Sequence, residues 1–182
     1  MSSNSTNDIT RQLQDPAQRT AAFTQLVEQH KEKLYWQIRR MVLSHDDADD
    51  ILQNTFIKAW TALDTFRGDA QPSSWLYRIA HNETINHLEQ QRAMLSIDDD
   101  NAQALAASLA ADPYFDGDET ELQLQQAIAT LPDRQREVFN LRYFGHQHYE
   151  DISQALGISI GALKASYHLA VHKITAFFNS HD

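Results

Sequence analysis

The sequence contains no cysteine. Disulfides and thiolate metal sites are therefore excluded, and the composition fits a reducing compartment. Glycine and proline are scarce, at five and four in 182 residues. Runs of β-branched residues are also few, while Gln, Ala, Leu and charged residues dominate. So few breakers and strand formers predict an all-helical protein. No apolar run approaches the roughly 20 residues that span a bilayer. The opening MSSNSTND is polar and lacks a basic stretch followed by an apolar one, so no secretory signal is visible and a cytoplasmic location is expected. There is no GxxxxGK phosphate loop, GxSxG elbow, GxGxxG turn or HExxH pair. An enzyme is not expected, and no cofactor, small-molecule substrate or membrane insertion is assigned.

Positive charge is missing from one place in particular. The net charge is −10, yet residues 93–121 hold eight acidic residues and neither lysine nor arginine. Residues 1–92 carry only −2, and residues 122–182 are neutral. The acidity is thus local, which weakens the electrostatic objection to DNA binding without supplying positive support. Such a chain should bind bare DNA weakly, because phosphate neutralisation supplies most non-specific affinity.

Residues 1–17 read as a flexible, polar N-terminus with at most a short helical piece before Pro16. From Gln18 to about Leu43, Phe23, Leu26, Val27, Leu34, Ile38, Met41 and Val42 recur at helical spacing, as one long helix or two with a bend. Ser44 is a stop and a new cap. In SHDDADDILQNTFIKAW, early acids suit a helix N-terminus. Ile51, Leu52, Phe56, Ile57 and Trp60 read as its apolar stripe, and Asp49, Asp50, Gln53, Asn54 and Lys58 as its polar side. That polar side is either a solvated surface or a docking face for a basic, helical partner.

The stretch FRGDAQPSSWLYRIAHNETINHLEQQR, residues 66–92, begins with a turn at Gly68, Asp69 and Pro72. Ser73 or Ser74 is expected to cap the helix that follows. Trp75, Leu76, Ile79, Ala80, Ile85 and Leu88 are its apolar positions; Arg78, His81, Asn82, Asn86, His87 and Arg92 supply polar donors. Either this is an ordinary amphipathic helix with Trp75 in the core, or its ring, amides and guanidinium groups read exposed bases and phosphates.

Residues 93–120 read as a flexible acidic linker in which AQALAASLAA forms at most a transient helix. A second domain spans 121–182: a short helix ending at Pro132, a helix capped by Asp133 and ended by Gly145, and then YEDISQALGISIGALKASYHLAVHKITAFF. The last stretch has helix-turn-helix grammar. Ile152, Ala155 and Leu156 mark a short helix, Gly157 the turn, Ser159 a cap, and Leu163, Tyr167, Ala170 and Ile174 the buried side of a second helix. Such a second helix enters the major groove by residues near its start, here Ser159, Gly161, Ala162, Lys164, Ala165 and His168. The alternative is a plain antiparallel helix pair. His168 and His172 stand four apart, and His146 and His148 two apart, but no third ligand is placed beside them and no metal is assigned.

Three stretches in this order resemble bacterial RNA polymerase sigma factors of the extracytoplasmic-function (ECF) group. DADDILQNTFIKAW looks like the family's core-binding helix, the 66–92 stretch like its promoter-melting and −10-reading segment, and LPDRQREVFNLRYFGHQHYEDISQALGISIGALKASYHLAVHKI like its −35-reading domain. The resemblance implies two small helical domains, 18–92 and 121–182, joined by the flexible linker. It implies docking on the largest subunits of core RNA polymerase through Asp49, Asp50, Gln53, Asn54, Phe56 and Lys58. Promoter DNA would be melted and read at −10 by Arg67, Ser74, Trp75, Arg78, His81, Asn82, Asn86 and His87. The −35 element would be read by Ser159, Gly161, Ala162, Lys164, Ala165, His168 and Lys173. An anti-sigma factor is an expected partner, and the acidic linker would imitate a phosphate backbone in a basic polymerase channel. The chain departs from the family at Ser166, Leu169 and Val171, where basic residues are common. That departure motivates the alternative of a sigma-like regulator that binds polymerase or an anti-sigma partner without productive promoter recognition.

Overall fold

The computed structural model describes residues 2–94 and 101–181, and among these it holds helices and turns without a strand. The elements are α1 (Ser2–Gln14), α2 (Arg19–Arg39), α3 (His45–Ala62), a 3-10 turn (Leu63–Thr65), α4 (Pro72–Met94), α5 (Asn101–Ala110), α6 (Glu119–Ala129), α7 (Asp133–Tyr143), α8 (Tyr149–Leu156) and α9 (Ile160–His181). The all-helical expectation is borne out.

Local chemistry explains most boundaries. The Ser44 hydroxyl accepts the Asp47 N–H at 3.0 Å, and Asp46 and Asp47 lie in the positive first turn of α3. Helix α4 starts earlier than a serine cap would place it. The Gln71 carbonyl accepts the Trp75 N–H at 3.0 Å, and Pro72 takes the first helical position, where its missing N–H costs nothing. Ser73 and Ser74 therefore fall inside the first turn. Asp133 is likewise not the cap of α7; it lies in the first turn and accepts Arg136 Nη2 at 2.9 Å.

Helices α2, α3 and α4 pack around one core that includes Leu26, Leu34, Ile38, Val42, Ile51 and Leu76. The N-terminal stretch forms α1 and joins this core through buried Leu13 and partly buried Ile9. Their i,i+4 spacing makes a short apolar stripe that the polar composition conceals. In the second domain Val138 and Leu141 of α7 meet Ile152 and Leu163 across the helix-turn-helix. On the other side Phe139 meets Ala127, Ile128, Ala170 and Ile174. Gly157 takes the left-handed conformation at φ 68° and turns the chain from α8 towards α9.

Where the sequence reads as a flexible tether, helix α5 buries Leu105 and Ala106 against Ala129 and Leu43, and its Leu109 is buried as well. Asp112 is buried too, and it accepts Arg39 Nε at 2.6 Å and the Tyr35 hydroxyl at 2.9 Å. The other Arg39 donors reach the Val42 carbonyl at 3.0 Å and the Ser108 carbonyl and hydroxyl at 2.7 and 3.0 Å. The run Asp98, Asp99 and Asp100, on which the phosphate-imitation expectation rests, lies outside the described residues.

Candidate nucleic-acid and polymerase interface

On α3 the structure separates the two faces cleanly. Ala48, Ile51, Thr55 and Ala59 point into the core. Asp50, Gln53, Asn54 and Lys58 are exposed, while Asp49 and Phe56 are half-buried. Asp49 lies 3.1 Å from His45 Nε2, and Lys58 pairs with Glu83 of α4 at 2.5 Å. Two residues assigned to the apolar stripe face outward: Ile57 is 62% exposed and Trp60 45%. Ile57 lies seven positions from Asp50, two helical turns on, and so shares the polar face. That spacing was available in the sequence as the signal for an outward apolar residue.

The α4 residues divide by accessibility. Asn82, Asn86, Arg78 and, in the preceding turn, Arg67 are exposed. Trp75 is half-buried, with its ring 4.8 Å from that of Phe66, so it is at once a core residue and a surface one. Ser74 is buried at 4% exposure and does not reach the surface. His87 Nε2 lies 3.7 Å from an Asp47 carboxylate oxygen on α3.

Two of these residues touch the second domain. Arg78 Nε donates to the Ala155 carbonyl at 3.3 Å, and His81 Nδ1 contacts the Glu137 carboxylate. Ala155 of α8 packs into the first domain's core, and Leu156 packs against it. Glu137 is a residue the sequence does not signal, because its partner lies 56 positions away.

On α9 the face left open is the one expected to enter a groove. Ser159, Gly161, Ala162, Lys164, Ala165, His168 and Lys173 are all exposed. The Ser159 hydroxyl accepts the Ala162 N–H at 3.3 Å. Leu169 and Val171, at 49% and 38% exposure, share that open side, so its sure positive charges are Lys164 and Lys173.

Residues 26–94 match the family model for Sigma-70 region 2, and residues 121–174 that for Sigma-70, region 4. The RNA polymerase sigma-H factor of Pseudomonas aeruginosa is 33% identical over 171 residues, covering 88% of this chain and 89% of that protein. The ECF RNA polymerase sigma factor SigW of Bacillus subtilis is 31% identical over 156 residues, covering 81% and 83%. The chain belongs to the ECF sigma factors. As such it is a promoter-directing initiation factor, whose partners are core RNA polymerase and promoter DNA. Two solved structures share the fold at 24% identity. One is the sigma factor RpoE in complex with the anti-sigma factor NepR from Bartonella quintana, with a TM-score of 0.70 over 86% of this chain and 96% of that one. The other is CnrH in complex with the cytosolic domain of CnrY, with a TM-score of 0.71 over 97% and 99%. Region 2 thus runs from α2 through α4, and region 4 from α6 into α9. Among the described residues no helix is long and apolar enough to cross a membrane, and no group of three or more His, Asp or Glu residues is placed to hold a metal.

Proposed function

We propose a division of labour among the residues of this sigma factor. Helix α3 docks on the largest polymerase subunits through Asp49, Asp50, Gln53, Asn54, Phe56 and Lys58, with Ile57 and Trp60 as apolar anchors inside the polar patch. The observation that carries this reading is the exposure of Ile57 and Trp60 among acidic and amide side chains. Apolar anchors ringed by polar groups are how interfaces concentrate binding energy. The turn at Arg67 and helix α4 take the non-template strand at −10. Trp75 supports a flipped base, and Arg78, His81, Asn82, Asn86 and His87 hold bases and backbone. Flipping costs a few kcal/mol, so polymerase binding helps drive it. Ser74 acts from beneath, by packing the first turn of α4.

The open face of α9 reads −35 DNA through Ser159, Gly161, Ala162, Lys164, Ala165, His168 and Lys173. With so few cations there, −10 capture carries more of the promoter selectivity. The protein works in the cytoplasm, has no catalytic activity of its own, and is restrained by an anti-sigma factor, in line with the two solved relatives that are complexes of that kind.

Run-off transcription with purified core polymerase on genomic DNA tests the reading. Wild type should start transcripts at a defined set of promoters. Trp75→Ala and Asn82→Ala should lose open complexes but retain core binding, whereas Asp50→Ala with Gln53→Ala should weaken core binding first. Binding to core without initiation at any promoter would overturn it.

A further inference from the structure

Helix α1 lies against the turn that leads into α4. Buried Leu13 and half-buried Ile9 fix it on the region 2 core. Arg19, at the start of α2, holds the end of α1 in place. Its Nε donates to the Leu13 carbonyl at 3.1 Å, and its Nη1 pairs with Asp64 of the 3-10 turn at 2.6 Å. The approach to the turn itself is close. A Cβ at Gly68 would fall 2.7 Å from Thr10 Cγ2 and 3.3 Å from Gln14 Nε2. Gly68 also has a φ of +78°, so both its backbone and its neighbours on α1 call for glycine.

Gln14 is exposed, and its Nε2 donates to the Phe66 carbonyl at 3.5 Å. The Phe66 ring lies 4.8 Å from that of Trp75, the residue assigned to support a flipped base. That carbonyl engages one N–H of the Gln14 carboxamide, which leaves Oε1 and a second N–H to offer. An acceptor beside a donor on one planar amide suits an amino group beside a ring nitrogen, as adenine and cytosine present them.

We propose that α1 forms one wall of the strand-capturing turn, and that Gln14 is a further −10-reading residue whose carboxamide selects the base held beside Gly68. The inference deepens the strand-capture reading and rests on it. Leu13 and Arg19 hold the helix still, and Gly68 lets the turn lie directly against it. A base read by an amide on a packed helix costs less ordering than one read from a free loop.

The test uses promoters that wild type selects in genomic run-off transcription, randomised base by base across the −10 element, with the transcripts sequenced. Wild type should favour adenine or cytosine at one position by about tenfold. Gln14→Met removes the amide and keeps its length. It should level that preference and leave the other positions, core binding and melting temperature as in wild type. Arg19→Gln, which frees the end of α1, should weaken the same preference by less. An unchanged profile in Gln14→Met would overturn the proposal. So would an even loss of initiation whatever the base, the mark of a helix that only packs. Trp75→Ala separates this proposal from the reading beneath it. If Trp75→Ala erases −10 selectivity while Gln14→Met retains it, only the Gln14 assignment falls. If Trp75→Ala leaves open-complex formation intact, the strand-capture reading falls, and the Gln14 assignment with it.

Discussion

Arg39 is a cation with 1% of its side chain exposed, and Asp112, 73 residues away, is its buried partner. Burial pushes the Asp112 carboxyl up, but the Arg39 and Tyr35 hydrogen bonds, the Tyr114 N–H and the Arg39 charge outweigh it and hold the group below its usual range. Removing one member of such a pair strands a charge. Asp112→Asn should therefore cost about 3–5 kcal/mol in urea unfolding, while Arg39→Met with Asp112→Leu should come close to wild type. The pH dependence follows from the sign of the shift. The contribution of Asp112 is complete above its unfolded value of 3.8 and is lost as pH falls through the lower folded value. Acid unfolding should be steeper in wild type than in the apolar double variant, as read by circular dichroism from about pH 5 to about pH 2.

At the scale of the element, α2 carries a second titrating position. Burial, and then the charge of Lys33, lowers the His30 pKa from 6.5, and its ring meets Tyr77 edge-on at 6.0 Å. A lowered histidine favours the native state above the unfolded value, so stability should decline as pH drops below 6.5. His30→Gln should flatten the melting temperature across that window. In the turn before α9, a side chain at Gly157 would meet nothing within 4 Å, so only the positive φ matters. Gly157→Ala should lower stability by about 1–2 kcal/mol through backbone conformation alone. On α9 itself Leu169 and Val171 are exposed and free of the core. Replacing both by arginine should tighten promoter binding and steepen its salt slope by about two phosphate equivalents, measured by filter binding across a salt series.

For the whole molecule, the connecting segment and Ala155 tie two small helical units into one body. Calorimetry of wild type should show a single transition, and Ala155→Gln should separate it into two, because coupling depends on the shared core. The concentrated acidity of residues 93–121 has a structural side as well. Leu105, Ala106, Leu109 and Asp112 are buried. Part of the segment is thus held by apolar burial and one ion pair rather than left as a solvated tether.

The positions of α2, α3 and α6 to α9, the turn at Gly157 and the cap at Ser44 were legible in the sequence, because each rests on interactions within a few residues, whereas α1 and α5 read as flexible segments. Trp75 was legible only as two alternatives, and the structure shows it half-buried on the boundary between them. Ile57 and Trp60 were assigned to the core because hydrophobicity alone does not say whether a neighbour covers a face. Ser74 was assigned to DNA although burial hides it.

Periodicity and capping residues by themselves determined an all-helical fold, and the ordered set of three motifs carried the resemblance to ECF sigma factors. Only the tertiary structure decided that Asp112 clamps the segment between them, that α1 is packed, and that Glu137 and Ala155 meet His81 and Arg78. Those pairings join residues 56 to 77 positions apart. Contacts between such distant residues depend on how whole helices pack, and no local propensity encodes that.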